Sequence, residues 1–221
     1  MVKTLKIALD GPSGSGKSTI AKALSAKLNI LYLDTGAMYR AVALKALKSN
    51  VDTFDETGVQ GFINDIDIEI RYENGKQLTF LDGENVSEKI REPQVSMAAS
   101  NISSLKCVRV KMVDMQRKIA STISCVLDGR DIGSFVLPNA DYKFFITASV
   151  DVRTKRRYDE LTAKGFKVDY DALKKEIEQR DYNDSHREFS PLVKADDAIV
   201  IDTSDMSIEQ VIDAVMSRIK A

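Results

Sequence analysis

Residues 5–18 read LKIALDGPSGSGKS, and this stretch decides the fold class. Its first six residues form a short apolar run of the kind found in a buried parallel strand. Residues 11–18 match the pattern G-x-x-x-x-G-K-S/T without a mismatch. They lie directly before a segment whose apolar residues have helical spacing. Glycines let backbone N–H groups turn toward a phosphate, and the N-terminus of the following helix adds partial positive charge. The stretch therefore predicts a strand, a phosphate-binding loop and a helix that bind a nucleoside triphosphate.

The residues of this loop have distinct expected parts. We expect Lys17 to reach the β- and γ-phosphates and the hydroxyl of Ser18 to bind Mg²⁺. Asp128 ends a second apolar run and is a candidate to hold Mg²⁺ through water, as a Walker B aspartate does. The residues expected to line the nucleotide site are Gly11, Pro12, Ser13, Gly14, Ser15, Gly16, Lys17, Ser18 and Thr19.

The loop by itself does not separate kinases from GTPases and hydrolytic ATPases. The chain has no Asn-Lys-x-Asp motif, which many GTPases use to recognise guanine. A hydrolytic ATPase often places Asp-Glu after a hydrophobic strand, whereas Gly129 follows Asp128 here. These two differences favour transfer to an acceptor other than water.

The bulk composition excludes several classes of protein. The chain has 221 residues, 43% hydrophobic and 29% charged, which suits one globular domain or one with an insert. Its 32 Lys and Arg against 33 Asp and Glu lack the basic excess of proteins that grip long nucleic acids. No stretch resembles a secretory signal or a membrane span, and no Cys or His spacing suggests a metal site. We therefore expect a cytoplasmic protein with no nucleic-acid or membrane partner.

Apolar runs of strand length alternate with helical patterns along most of the chain. Such alternation predicts an α/β fold, in which helices cover both faces of a parallel sheet. The predicted strands are residues 5–10, 30–33, 125–127, 142–146 and 198–201. The predicted helices are residues 18–28, 35–49, 150–164 and 170–186, followed by a closing helix that begins at the capping box Ser207-x-x-Gln210.

One segment interrupts this alternation. Residues 67–72 alternate apolar and polar side chains, residues 77–81 follow as a second strand-like run, and Asn74-Gly75 lies between them. Asn-Gly in this position is the strongest short-range signal of a β-hairpin. We therefore predict a small, mostly antiparallel insert over residues 63–98.

The arginines are placed as an anionic acceptor would require. Phosphoryl transfer to a phosphate group needs mainly positioning and positive charge, and a nucleoside monophosphate needs no general base. Arg40 and Arg130 each follow a predicted strand end, the edge at which open α/β sheets bind ligands. Helical spacing places two further groups on common faces: Arg153, Arg156 and Arg157 on one helix, and Arg180, Asp184 and Arg187 on the next.

Both helical groups have a plain structural alternative. The group at 153–157 is also what a solvated charged face carries, although like charges four residues apart disfavour such a helix without an anion. Arg180 and Asp184 are equally compatible with an ordinary surface ion pair worth about 0.3–0.5 kcal/mol. The residues alone leave these alternatives open.

Five segments together resemble the bacterial cytidylate kinase family, and the resemblance covers nearly the whole chain. The first, residues 11–19, is shared by many phosphate-loop proteins, whereas the other four are specific in this order. They are Asp34-Thr35-Gly36-Ala37-Met38-Tyr39-Arg40, Asp128-Gly129-Arg130-Asp131-Ile132-Gly133, Arg180-Asp181-x-x-Asp184-x-x-Arg187 and Pro191-Leu192-Val193. The resemblance implies a transferase that uses ATP and Mg²⁺ to convert CMP and dCMP to their diphosphates. It also implies one kinase domain over residues 1–221, with a monophosphate-binding insert at 63–98 and a lid at 151–166.

The resemblance further assigns roles to residues at matching positions. The acceptor phosphate would be held by Arg40, Arg130 and Arg187. The cytosine would be faced by Ser100, Arg109 and Asp131, and the sugar hydroxyls by Arg180 and Asp184, with Thr35 nearby. ATP would also contact Arg156 and Arg157, and the catalytic residues would be Lys17, Arg130, Arg187, Arg157 and Arg153. Many family members have glycine where this chain has Ser18, which leaves open whether Ser18 or Thr19 meets the metal.

Other functions remain open on the residues alone. A kinase for UMP, for another monophosphate or for shikimate would need a similar site, although the hairpin and Asp131 favour cytosine. A regulatory ATPase whose arginines contact a partner protein is a rival from another class. We expect a monomer.

Overall fold

Strands and helices alternate through residues 4–73 and 75–219, the part of the chain that the computed structural model describes. The strands are β1 (Lys6–Asp10), β2 (Leu31–Asp34), β3 (Ile68–Glu73), β4 (Lys76–Leu81), β5 (Glu84–Asn85), β6 (Cys125–Gly129), β7 (Tyr142–Thr147) and β8 (Ile199–Asp202). The α-helices are α1 (Lys17–Leu28), α2 (Thr35–Lys48), α3 (Glu56–Ile63), α4 (Pro93–Ile102), α5 (Lys106–Thr122), α6 (Val150–Ala163), α7 (Tyr170–His186) and α8 (Ile208–Met216). The chain divides into two compact units, one running up to Tyr32 and from Ile123 onward, the other Leu33–Thr122.

The central sheet has the strand order β2-β6-β1-β7-β8. β1 pairs in parallel with both β6 and β7, and β7 pairs in parallel with β8. In the β1–β6 register Leu9 lies opposite Asp128, and Asp10 lies opposite Gly129. The parallel pairing puts the carboxyl ends of β1 and β6 side by side, where ligands bind in sheets of this type. The predicted α/β fold with a parallel sheet is confirmed.

The core of the first unit forms where α1 and α8 pack on the sheet. Ile7, Leu9 and Phe144 from the strands are buried together with Leu24 from α1 and Val215 from α8. Burial of side chains of this size contributes roughly 1.5–3 kcal/mol each, which offsets the cost of ordering the helices.

The closing helix starts at the predicted capping box. Ser207 N–H donates to Gln210 Oε1 at 2.8 Å, and Gln210 N–H donates to Ser207 Oγ at 3.3 Å. The two residues thereby satisfy donors that the first turn of a helix otherwise leaves unpaired.

The second unit contains the predicted hairpin. β3 and β4 pair antiparallel from Ile68–Leu81 to Glu73–Lys76, and β5 extends the sheet beside β4. Asn74 of the turn lies outside the described residues, and Gly75 has a φ of 73°. The hairpin prediction is confirmed by the pairing, although the antiparallel strands end at Asn85, a 3₁₀ turn follows at Lys89–Arg91, and α4 begins at Pro93.

Three helices of the second unit have no counterpart in the prediction. They are α3, α4 and α5. α4 carries a start signal, because its first residue is Pro93. α5 is mostly polar and buries only one stripe, which includes Val108, Met112 and Val113. Such a narrow stripe is a weak helical signal. All three helices are stabilised by packing: α4 and α5 pack with α2, and α3 packs with α5.

No helix in the described part of the chain combines the length and the apolar character needed to cross a bilayer.

Candidate active site

The phosphate loop joins β1 to α1 in a conformation that requires glycine. Gly11 has a φ of 141°, and a Cβ there would lie 1.9 Å from the carbonyl oxygen of Ile146. Gly14 has a φ of 77°, and its Cβ would lie 3.3 Å from Cβ of Arg153. Neither position therefore has room for a side chain, and both need the conformational freedom of glycine.

Lys17 is buried inside this loop. Its Nζ donates to the carbonyl oxygen of Pro12 at 2.6 Å and to Oγ of Ser15 at 3.2 Å. Burial, followed by the nearby charge of Arg130, lowers the pKa of Lys17 to about 7. A polyanion bound in the loop would place negative charge beside this ammonium and would raise the pKa of Lys17 again.

Ser18 and Asp128 bring two oxygen groups together beside the loop. Ser18 Oγ donates to Asp128 Oδ2 at 2.5 Å, and Tyr32 Oη donates to Asp128 Oδ1 at 3.3 Å. Among the described residues there is no cluster of three or more His, Cys, Asp or Glu side chains that could hold a metal ion. Mg²⁺ in nucleotide sites is bound by one or two carboxylates with phosphates and water, so the pair fits Mg²⁺ held with a triphosphate.

Asp184 on α7 lies between two predicted site arginines. Arg130 Nε donates to Asp184 Oδ2 at 2.7 Å, and Arg187 Nη1 lies 3.9 Å from Asp184 Oδ1. Burial alone would raise the pKa of Asp184, but Arg130 and Arg187 outweigh it and lower the pKa. Asp184 is buried and its closest partner is Arg130, so this is not the surface pair of Arg180 and Asp184 that the sequence left open.

Arg180 on α7 lies near charges of both signs. Burial and then the charge of Arg130 lower its pKa, whereas Asp184 and Glu176 oppose this shift without cancelling it. Its Nε is buried and has no hydrogen-bond partner among the described residues. A buried guanidinium nitrogen without a partner is stabilised by a hydrogen-bond acceptor, which a bound ligand would supply.

The three arginines of α6 have different surroundings. Arg153 is 4% exposed and donates to Ala148 O at 2.9 Å, Ser13 O at 3.2 Å and both carboxylate oxygens of Asp181. Arg156 binds the hydroxyl and the carbonyl oxygen of Thr203, and Arg157 binds Glu160. Arg153 is thus not part of a solvated charged face, because it links the phosphate loop to α7.

A cavity of about 320 Å³ opens beside the phosphate loop. Its walls combine apolar side chains with hydroxyls and the Arg156 guanidinium. The lining residues are Ser15, Gly16, Thr19, Ile20, Arg156, Thr203, Met206, Ser207, Ile208 and Val211. The lining residues after β8 were not predicted as part of the site. Thr203 directly follows a strand, and the carboxyl edge of the sheet is where ligands bind, so its position could have indicated the site.

The second unit holds the other predicted acceptor residues. Thr35 and Arg40 lie on α2, Ser100 on α4 and Arg109 on α5. Arg109 is 1% exposed, its guanidinium carbon lies 5.4 Å from the Tyr39 ring centroid, and its Nη1 donates to Ser103 O at 3.4 Å. Ser100 Oγ is buried and has no partner among the described residues, so a ligand atom or a water would have to satisfy it.

Asp34 and Arg91 form an ion pair in this unit that the sequence did not suggest. Arg91 Nη2 donates to Asp34 Oδ2 at 2.6 Å, while Asp34 Oδ1 caps α2 by accepting from Ala37 N–H at 2.9 Å. Burial would raise the pKa of Asp34, but Arg91 and then Arg40 lower it instead. The carboxylate therefore stays ionised and fixes the start of the helix that carries Thr35 and Arg40.

Known proteins are similar to this chain over nearly its whole length. A family model described as cytidylate kinase matches residues 7–221. The chain belongs to the cytidylate kinase family. A cytidylate kinase of Caldicellulosiruptor bescii is 51% identical over 97% of this chain and 95% of its own length. A cytidylate kinase of Clostridioides difficile is 50% identical over 97% of this chain and 98% of its own length. The resemblance to this family is confirmed.

Solved structures share the architecture at much lower identity. An uncharacterised protein of Eubacterium ventriosum superposes with a TM-score of 0.52 at 15% identity, covering 97% of each chain. At this identity the likeness shows the fold alone, whereas the match to the family model shows the family.

Proposed function

We propose that the chain is a cytidylate kinase that transfers the γ-phosphoryl group of ATP to CMP or dCMP, giving ADP and CDP or dCDP. The match of the family model to residues 7–221 carries this conclusion. The phosphate loop and the buried arginines supply the chemistry that such a transfer needs, which is positioning and positive charge.

ATP binding is assigned to the loop residues 11–19 and to the cavity beside them. The cavity is lined by Thr19, Arg156 and Thr203, and its apolar wall includes Ile20 and Val211, which suits the flat, partly polar surface of an adenine base. Lys17 would neutralise charge on the β- and γ-phosphates. Ser18 and Asp128 would hold Mg²⁺, which would neutralise charge that develops on the phosphates.

The acceptor phosphate is assigned to Arg40, Arg130 and Arg187. A monophosphate is largely dianionic near neutral pH, since its second pKa is about 6, so direct in-line attack needs no base from the protein. Catalytic roles for Arg153 and Arg157 rest on the family resemblance. The four hydrogen bonds of Arg153 support a role in holding the loop and α7 together.

The nucleoside part of the acceptor is assigned by the same resemblance. Ser100, Arg109 and Asp131 would contact the cytosine, whose 4-amino group needs an acceptor such as a carboxylate. The unsatisfied hydroxyl of Ser100 supports a ligand contact at that position. Arg180 and Asp184 would meet the sugar, with Thr35 nearby.

Two segments of the kinase domain at 1–221 are proposed to close over the substrates. Residues 151–166 would act as a lid for the triphosphate, and the insert at 63–98 would serve the monophosphate. Excluding water from the bound triphosphate would suppress wasteful hydrolysis.

A coupled assay of ADP release tests the proposal. With ATP and Mg²⁺, we expect CMP and dCMP to raise ADP release far above the rate without acceptor, and UMP, AMP and shikimate to raise it less. Lys17→Ala is the matched control and should lose at least about 100-fold in kcat, because the charge is needed most in the transition state. If CMP gives no more ADP than the reaction without acceptor, the kinase proposal is wrong. If UMP outruns CMP, only the choice of base is wrong.

A further inference from the structure

Asp10 is a buried carboxylate to which neither the sequence motifs nor the proposed mechanism assigns a part. It is the last residue of β1, directly before the phosphate loop, and is 5% exposed. Its Oδ1 accepts a hydrogen bond from Ile132 N–H at 2.7 Å, and its Oδ2 accepts one from Gly133 N–H at 2.7 Å. Both oxygens are thus used, in short bonds of the strong, charge-assisted kind.

The two amides belong to a turn that needs outside partners. Ile132–Val136 forms a single π-helical turn, in which Phe135 N–H and Val136 N–H both donate to the carbonyl oxygen of Asp131, at 2.9 and 3.0 Å. The first N–H groups of such a turn have no acceptor within it. The carboxylate of Asp10, on a strand more than a hundred residues earlier in the chain, accepts from two of them. π-Helical turns are rare and recur at functional sites.

Gly133 lets the turn approach this carboxylate closely. A Cβ at this position would lie 3.3 Å from Asp10 Oδ2 and 3.1 Å from Cδ of Lys143. Either contact is tighter than ordinary van der Waals packing, so a side chain here would force the turn, Lys143 or Asp10 to shift by a few tenths of an ångström.

Asp131 connects the turn to the acceptor-binding arginines. Its Oδ2 accepts from Ser190 Oγ at 2.5 Å, and its Oδ1 lies 3.5 Å from Arg187 Nη2. Arg187 Nε in turn donates to Ser190 O at 2.6 Å, and Ser190 has a φ of 56°, a conformation that a non-glycine residue adopts only when its surroundings hold it. The end of β1 is therefore connected to Arg187 through the backbone of the turn and through the hydrogen bonds and the ion pair of Asp131.

We propose that Asp10 is a positioning residue, whose carboxylate fixes the Arg130–Gly133 loop so that Arg130, Asp131 and Arg187 keep the orientation that the acceptor nucleotide requires. The role rests on the proposed function, since it concerns the binding of CMP. Asp10 itself touches neither substrate. It ties the acceptor residues to the strand that carries the phosphate loop.

Asp10→Asn is the most informative substitution, because it keeps the size of the side chain but replaces one of the two acceptor oxygens with an NH₂ group. The amide offers one oxygen, and its NH₂ group would face a second N–H donor, so one of the two bonds must be lost. Ser190→Ala removes the hydroxyl at the other end of the same set of bonds and serves if Asp10→Asn folds poorly. Ser25→Ala is the control: Ser25 Oγ on α1 donates to Ile30 O at 2.5 Å, remote in sequence from the turn, and we expect its loss to affect stability only.

The kinetic measurement separates positioning from mere support of the fold. We expect Asp10→Asn to raise KM for CMP about tenfold and KM for ATP less than about threefold. Ser190→Ala should raise KM for CMP about threefold, and Ser25→Ala should change neither KM at a comparable fall in Tm. A KM for CMP that stays unchanged, or KM values for CMP and ATP that rise equally, would mean that Asp10 only supports the fold, and would overturn the proposal.

An NMR measurement tests the bridge without any turnover. In ¹H–¹⁵N spectra of the whole protein, Asp10→Asn should shift the amide signals of Ile132 and Gly133 and speed their hydrogen exchange. Unmoved signals would overturn the bridge itself. Wild-type protein that does not phosphorylate CMP would overturn the proposed function and the positioning role together. Normal wild-type activity with an unchanged CMP KM in Asp10→Asn would overturn the positioning role alone.

Discussion

At the scale of single residues, Lys17 carries a charge that depends on what fills the phosphate loop. Its pKa of about 7 means that the free protein at about pH 8 holds mostly neutral lysine. Because a bound triphosphate favours the ammonium, binding of ATP should take up close to one proton there, and ATP affinity should fall as the pH rises above about 7.

Calorimetry in two buffers with different ionisation enthalpies measures this proton uptake directly. The apparent binding enthalpy should differ between the buffers at about pH 8 and should become the same in Lys17→Ala. A wild-type enthalpy that does not depend on the buffer would show that Lys17 is already charged in the free protein.

Asp184 is expected to contribute to both stability and acceptor binding. Asp184→Ala removes the carboxylate paired with the partly buried Arg130 and leaves Arg187 paired with Asp131, which should lower the free energy of unfolding by roughly 3–5 kcal/mol. The KM for CMP should rise while the KM for ATP stays near its wild-type value, because Arg130 and Arg187 are assigned to the acceptor.

Denaturant unfolding and initial-rate kinetics check the two parts of this expectation. Asp197→Ala is the control: it removes the exposed partner of Lys143 and should change stability much less. Equal losses of affinity for both substrates in Asp184→Ala would identify a purely structural ion pair.

The residues of the site were predictable to different extents. The phosphate loop could be read directly, because its glycines and lysine follow each other in sequence. The partner of Asp184 could not, because Arg130 lies 54 residues away and helical spacing suggested Arg180 instead. The bridge from Asp10 to the turn at Ile132 spans 122 residues and depends on β1 and β6 being neighbours in the sheet.

At the scale of elements, the capping box of α8 is a local interaction with a measurable contribution. Ser207→Ala should lower stability by about 1 kcal/mol, since it leaves the N–H of Gln210 without its acceptor. For a protein of this size we expect Tm to fall by about 2–4 °C. Ser217→Ala near the end of the same helix is the control and should change Tm little. An equal fall in both variants would mean that the cap is not what stabilises the first turn.

Elements with a strong local signal were predicted, and those that depend on packing were not. The strands around the phosphate loop and the helix at 170–186 agree with the prediction to within about two residues, the usual spread of such bounds. α5 was missed because only a narrow stripe of its surface is buried against other helices. The π-helical turn at Ile132–Val136 was missed because its first amides are satisfied by a distant side chain.

At the scale of the whole molecule, two kinds of observation support different parts of the function. The phosphate loop, Lys17 and the buried arginines support phosphoryl transfer to an anionic acceptor on physical grounds. The choice of cytosine rests on the family match over residues 7–221, with Ser100, Arg109 and Asp131 as the residues to change.

Transfer of a labelled phosphoryl group tests the central claim most directly. The purified protein is incubated with ATP labelled at the γ-phosphate, Mg²⁺ and CMP, and the products are separated by chromatography. We predict that the label appears in CDP in amounts equal to the ADP formed, and that Lys17→Ala forms neither above background. Label found only in inorganic phosphate, whether or not CMP is present, would contradict the account and would identify an ATPase.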